Sequence, residues 1–173
     1  MTKTRAAAVS AVRTLCLAAL LIFAGLAHAD LVGQVVGIMD GDTIDVLVDR
    51  QPVRVRLAQI DAPEKRQAFG TRSRQALAEL VFRQSVTVTD AGRDRYGRII
   101  GTVYVRGMDV NAEMVREGMA WVYRQYARDH ALYELERQAK ASKRGLWADP
   151  EPVAPWEYRR SKHAAAKEKR AGW

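Results

Sequence analysis

Residues 32–57 hold three short runs, 32–38, 43–48 and 53–57, in which apolar and polar residues alternate and only turn residues intervene. A period of two buries one face of a run and leaves the other in water, so three strands must fold back on each other within 26 residues. Asp40-Gly41 supplies the first turn and Asp49-Arg50-Gln51-Pro52 the second. The third strand is read as continuing to Ile60, with Pro63 ending it. Residues 86–88 and 99–105 read as strands four and five. Thr71 is read as the N-cap of a helix carrying Ala76, Leu77, Leu80 and Val81. Asp109 caps a second helix over 110–117, stopped by Gly118, and a third spans 131–143, stopped by Gly145. This order predicts an α+β fold, a five-stranded OB-fold-like β-barrel with three α-helices on one side.

The first 29 residues stand apart from that pattern. Lys3, Arg5 and Arg13 precede an uncharged apolar stretch over 15–27, and Ala27-His28-Ala29 follows. This is the pattern of a signal peptide cleaved after Ala29. Three parts are expected: residues 1–29 as signal peptide, 30–148 as the domain, and 149–173 as a Pro- and Trp-containing stretch, packed with Trp147 and Trp156, followed by a loose basic tail. Cleavage takes the formal charge from +8 to +5 and removes Cys16, the sole cysteine. The mature chain then has no disulfide and no thiol nucleophile. Its basic charge fits a polyanion such as nucleic acid, an anionic membrane, or simple solubility. His130 and His163 have no companion at metal-ligand spacing, and no P-loop, dinucleotide fingerprint or nucleophilic serine motif occurs.

Three polar segments flank the apolar runs: Asp40-Gly41-Asp42-Thr43, Arg56 with Asp61-Ala62-Pro63-Glu64, and Asp94-Arg95-Tyr96-Gly97-Arg98. Carboxylates hold hard cations and activate water, and arginines grip phosphate. Each segment also has a plain structural reading. Asp40 and Asp42 suit a turn, and Glu64 suits an exposed loop. Arg54 and Arg56 share one strand face, and periodicity does not choose between them. Arg98 suits a turn at a barrel rim.

Taken in order, these segments resemble the staphylococcal (micrococcal) nuclease family. The resembling residues are Val36-Gly37-Ile38-Met39-Asp40-Gly41-Asp42-Thr43, Arg56-Leu57-Ala58-Gln59-Ile60-Asp61-Ala62-Pro63-Glu64 and Asp94-Arg95-Tyr96-Gly97-Arg98. The stretch Val110-Asn111-Ala112-Glu113-Met114-Val115-Arg116-Glu117-Gly118-Met119-Ala120 is similar to the family's second helix and following turn. The resemblance covers roughly residues 31–148. It implies Ca2+ ligands at Asp42, Asp61 and the backbone carbonyl of Ala62, with Asp40 supporting the metal from outside. It implies Glu64 as general base and Arg56 and Arg98 as the phosphate-binding arginines, choosing Arg56 over Arg54. Residues 65–69 form a shorter loop than the family's best-known member has. Its pair of stacking tyrosines is met only in part, by Arg124 and Tyr126, with Tyr123 nearby; Tyr126, Tyr123 and Tyr96 are the candidate nucleotide contacts.

The expectation is a secreted or periplasmic monomer, free of the membrane after cleavage. It would hydrolyse DNA and RNA with Ca2+ and little sequence preference, leaving 3′-phosphate ends. The alternatives are a non-catalytic OB-fold nucleic-acid-binding module and a cell-envelope protein whose basic tail engages anionic lipid or polymer.

Overall fold

The computed structural model describes residues 30–171, so the expected signal segment, with Cys16 and His28, lies outside the described residues. The first three strands are β1 (Leu31–Ile38), β2 (Thr43–Val48) and β3 (Gln51–Leu57), paired antiparallel in sequence order. The second turn is only Asp49-Arg50, both with positive φ (48° and 65°), rather than the four residues expected. That backbone matches the right-handed twist of a two-residue hairpin, so Gln51 and Pro52 join the ladder opposite Val48 and Leu47.

The third strand does not run on to Ile60. Gln59 takes φ 67° and breaks it, and β4 (Ile60–Asp61) pairs instead with β8 (Trp121–Val122) in a separate small sheet. β5 (Ser85–Arg93) and β6 (Ile99–Val105) follow, with β7 (Met108–Asp109) extending the edge. β1 joins β5, and β3 joins β6 in parallel, which closes β1, β2, β3, β5 and β6 into a five-stranded barrel. Alternation fills it with buried Val35, Ile44, Val46, Val55, Val88 and Val103. Asn111 tightens the closure: its Oδ1 accepts the Val103 N–H, and its Nδ2 donates to the Ala58 and Gly101 carbonyls.

Among the described residues four α-helices accompany the barrel, one more than expected. α1 (Gly70–Val81) begins after Phe69, which sits in the left-handed region without a side-chain cap, so Thr71 lies inside the helix. α2 (Val110–Arg116) and α3 (His130–Ala141) are capped by Asp109 and Asp129, which accept the N–H of Ala112 and Ala131. Leu77, Val81, Val110 and Met114 of α1 and α2 are buried in one cluster with the barrel's inward residues. The short 3-10 helix Gly145–Ala148 buries Trp147 against Trp121, with ring centroids 4.3 Å apart.

The expected loose tail is a helix, α4 (Pro155–Ala171). Proline is preorganised for the first helical position, and Ala164-Ala165-Ala166 with Lys and Glu behind it favours continuation. Its start is packed: Ala154 and Pro155 are buried, and the Trp156 ring lies parallel to Tyr123 at 5.6 Å. Residues 160–170 are exposed throughout.

Candidate active site

Tight turns bring the acids together. The Asp42 N–H donates to Asp40 Oδ1 (3.1 Å), and the Leu57 N–H donates to the Asp42 carbonyl (2.8 Å). Gly41 is required by close approach, because a Cβ there would lie 1.9 Å from Ser73 Oγ and 2.8 Å from the Ala62 Cβ. The Asp40–Asp42 segment is thus both a turn and a means of pressing Asp42 onto Ala62, whose N–H donates to Asp42 Oδ2 at 2.8 Å.

Asp61 is fixed by β4, and only 1% of its surface is exposed. Arg56 stands between the two buried acids. Its Nη1 lies 3.0 Å from Asp42 Oδ2 and its Nη2 2.9 Å from Asp61 Oδ1, and Nη1 also donates to the Leu57 and Ile60 carbonyls. Buried charges persist only when paired and hydrogen-bonded, and this clamp meets that condition. Arg54, on the same strand face, is spent on Asp45 in an exposed pair.

Glu64 follows in a turn of its own. Its carbonyl accepts the Gln67 N–H, and its N–H donates to Gln67 Oε1. Gly70 lets α1 begin against that turn, since a Cβ there would lie 2.0 Å from the Glu64 carbonyl oxygen. The Glu64 carboxylate is met by Arg159 of α4: Nη1 is 2.7 Å from Glu64 Oε1 and 3.2 Å from Asp61 Oδ1, and Nη2 is 2.7 Å from Asp61 Oδ2. Burial opposes the Arg159 charge, but the bonds and charges of Asp61 and Glu64 outweigh it and hold the guanidinium above its ordinary range. Arg159 was not among the residues singled out from sequence. The available signal was the helix itself: Pro155 opens it, and Trp156 and Arg159 at i, i+3 share one face.

Arg98 enters from the neighbouring strand. β3 and β6 are parallel with Val55 opposite Ile99 and Arg56 opposite Ile100, so Arg98 stands at the same barrel edge as Arg54 and Arg56. Its Nε donates to Asp94 Oδ2 at 2.7 Å. Arg98, Tyr96, Asp40 and Thr43 line one open groove. Tyr96 is 69% exposed there, under the guanidinium groups of Arg95 and Arg98. Tyr123 and Tyr126 meet edge-on at 4.9 Å beside α4; one partner of Tyr123 is Trp156, while Tyr126 is 58% exposed. Arg124 turns to Glu136 and the Tyr133 ring.

The donor set bears on the kind of metal that fits. Asp42, Asp61 and the adjacent Ala62 backbone offer only oxygen, which suits a hard divalent cation. No group of three or more His, Cys, Asp or Glu able to hold a metal ion occurs among the described residues, so water must complete any shell. Calcium and magnesium both accept that arrangement.

Asp40 sits behind this pair. Burial, with the Asp42 charge adding to it, lifts its carboxyl from 3.8 to about 6. The cost to stability is full above about 6 and is relieved as pH falls toward 3.8, where the folded state holds a proton the unfolded state does not. Asp40→Asn keeps the acceptor for the Asp42 N–H and removes the charge. In a chelating buffer at pH 7 it should gain about 1–2 kcal/mol, discounted for partial exposure, while its cation affinity falls. Urea melts and a calcium titration read the two effects, and unchanged stability would contradict the buried-charge account.

Residues 54–149 match the sequence pattern of a family described as staphylococcal nuclease homologue. The chain belongs to the staphylococcal nuclease family. A micrococcal nuclease of Shigella flexneri is 51% identical over 165 residues, spanning 89% of this chain and 95% of that protein. Protein ParB of Escherichia coli is 55% identical over 153 residues, 82% of this chain and 86% of the relative. An uncharacterized endonuclease of Escherichia coli is 53% identical over 135 residues, 78% and 88% respectively. The OB-like barrel is this family's fold, and membership makes the protein a hydrolytic nuclease of a metal-dependent family. The matched segment contains Arg56, Asp61, Glu64 and Arg98, and it ends before Arg159.

Proposed function

We propose that this staphylococcal nuclease family member is an exported, calcium-dependent enzyme that hydrolyses DNA and RNA with little sequence preference and leaves 3′-phosphate ends. The observation that carries the reading is the Asp42–Arg56–Asp61 cluster, with Glu64 beside it and Arg98 on the adjoining strand. Asp42, Asp61 and the Ala62 carbonyl are the residues to hold the cation, with Asp40 adding negative charge behind them. A bound calcium ion would offset phosphate charge and polarise the phosphoryl group.

The chain's own groups account for the rest. Glu64 takes a proton from the water that attacks phosphorus, and the bond from phosphorus to the 5′ oxygen breaks. The phosphate stays on the 3′ oxygen, and the 5′ oxygen leaves and takes its proton from solvent water, while Glu64 returns its proton to solvent. Arg56 and Arg98 donate to the oxygens on which negative charge grows, Arg56 from its place between the two buried acids. Export is supported by the basic start, apolar stretch and Ala27-His28-Ala29. The positive charge adds affinity for nucleic acid that declines as salt rises.

The test is cleavage of 5′-labelled single-stranded DNA and RNA in calcium, in magnesium and in chelator. Calcium-dependent fragments whose mobility shifts after 3′-phosphatase treatment are expected. Strands bound but never cut in any metal would overturn the reading and favour a binding module.

A further inference from the structure

We propose that Arg159 is a positioning residue of the active site, delivered by α4, which holds Glu64 in place relative to Asp61. The inference rests on the nuclease reading above and adds to it a residue outside the matched family segment.

Glu64 lies in a loop with its side chain 40% exposed, and its carboxylate has one partner among the described residues, Arg159. A glutamate so placed samples many rotamers unless something fixes it. The Arg159 guanidinium does so through its planar fork. Nη1 is shared between Glu64 Oε1 and Asp61 Oδ1, while Nη2 takes Asp61 Oδ2. One rigid group therefore sets the distance between the general base and a metal-ligand candidate. A lysine cannot, because its ammonium is a single point of charge.

The arginine is itself held. Trp156, three residues earlier on the same helix face, stacks on Tyr123 and packs edge-on against Trp121 at 5.7 Å. The Tyr158 hydroxyl donates to the Arg66 carbonyl, and Gln67 Nε2 donates to the Val153 carbonyl. Arg159 thus projects from the anchored turns of α4 and not from its exposed remainder.

Two consequences follow with opposite signs. Without the fork, Glu64 loses its alignment and turnover falls. Without the positive charge on Asp61, a cation meets less opposition and binds more tightly. A residue that merely pinned the helix would not separate the two in this way.

The experiment compares the parent with Arg159→Met, Arg159→Lys and, as control, Arg160→Met on the exposed side of the helix. Three readouts are taken: kcat and KM on a short single-stranded oligonucleotide at saturating calcium, calcium affinity by calorimetry without substrate, and tryptophan fluorescence for docking of α4. Arg159→Met should lose about 10–100-fold in kcat, the range for partners that orient a reacting group, with KM little changed. Its calcium affinity should rise several-fold. Arg159→Lys should fall between, and Arg160→Met should match the parent in kcat. Parental kcat and calcium affinity in Arg159→Met overturn the proposal. If that variant undocks α4, Arg159→Lys decides, and docking with parental kcat overturns it. A parent that never cleaves sinks the nuclease reading instead, and the calorimetry still decides whether Arg159 opposes a cation at Asp61.

Discussion

Replacing Arg98 by alanine should lower kcat by about 10²–10³-fold, the cost of losing one donor aimed at developing charge. Folding should be nearly unaffected. Burial would raise the Asp94 carboxyl, but the Arg98 guanidinium and the N–H groups of Arg98 and Tyr96 hold it below the usual carboxylate range. The two backbone donors remain in the variant, at 3.0 and 2.9 Å, so the turn keeps its shape. What is lost is one partly exposed ion pair, worth about 0–1 kcal/mol, and an exposed contact with the Tyr96 ring. Kinetics on a single-stranded oligonucleotide and a thermal melt make the check. Parental turnover would remove Arg98 from the mechanism, and a large drop in melting temperature would assign it a structural role.

Asp61→Asn acts on both stability and metal binding. Asp61 is almost fully buried and answers two guanidinium groups, so neutralising it leaves positive charge short of a partner. Breaking a buried pair costs about 3–5 kcal/mol when one charge is left alone. Here Arg56 keeps Asp42 and Arg159 keeps Glu64, so about 2–4 kcal/mol is expected, or about 5–15 °C in Tm. Calcium affinity should fall about tenfold or more, since loss of a group that merely orients a metal ligand already costs about 10–100-fold. Calorimetry and a melt read both, and a variant as stable as the parent would mean the cluster is not held by its charges.

The barrel strands were legible because alternation with a period of two survives wherever one face is buried. The caps Asp109 and Asp129 lie where α2 and α3 begin, and Asp109 was readable from its position alone. Backbone of positive φ was not readable. Asp49-Arg50 turns in two residues, Gln59 breaks β3, and Phe69 precedes α1, all without glycine. The site acids and Arg98 could be named from their segments and the family they resemble. Their pairing could not, because the contact of Arg56 with Asp61 depends on β4 being carried to β8, and that with Asp42 on the close approach of Gly41 to Ala62. α4 was missed for a different reason. Its outer turns have no apolar stripe to give a helical period, and its inward face consists of Trp156 and Arg159, whose partners lie far back in the chain.

The most direct test of the central claim is single-turnover cleavage of labelled single-stranded DNA in calcium by the parent and by the Glu64→Gln, Arg98→Ala double variant. The account predicts rapid cutting by the parent, silenced by chelator, and little or none by a folded double variant that still binds the strand. Equal cutting by both proteins would place the chemistry elsewhere in the molecule.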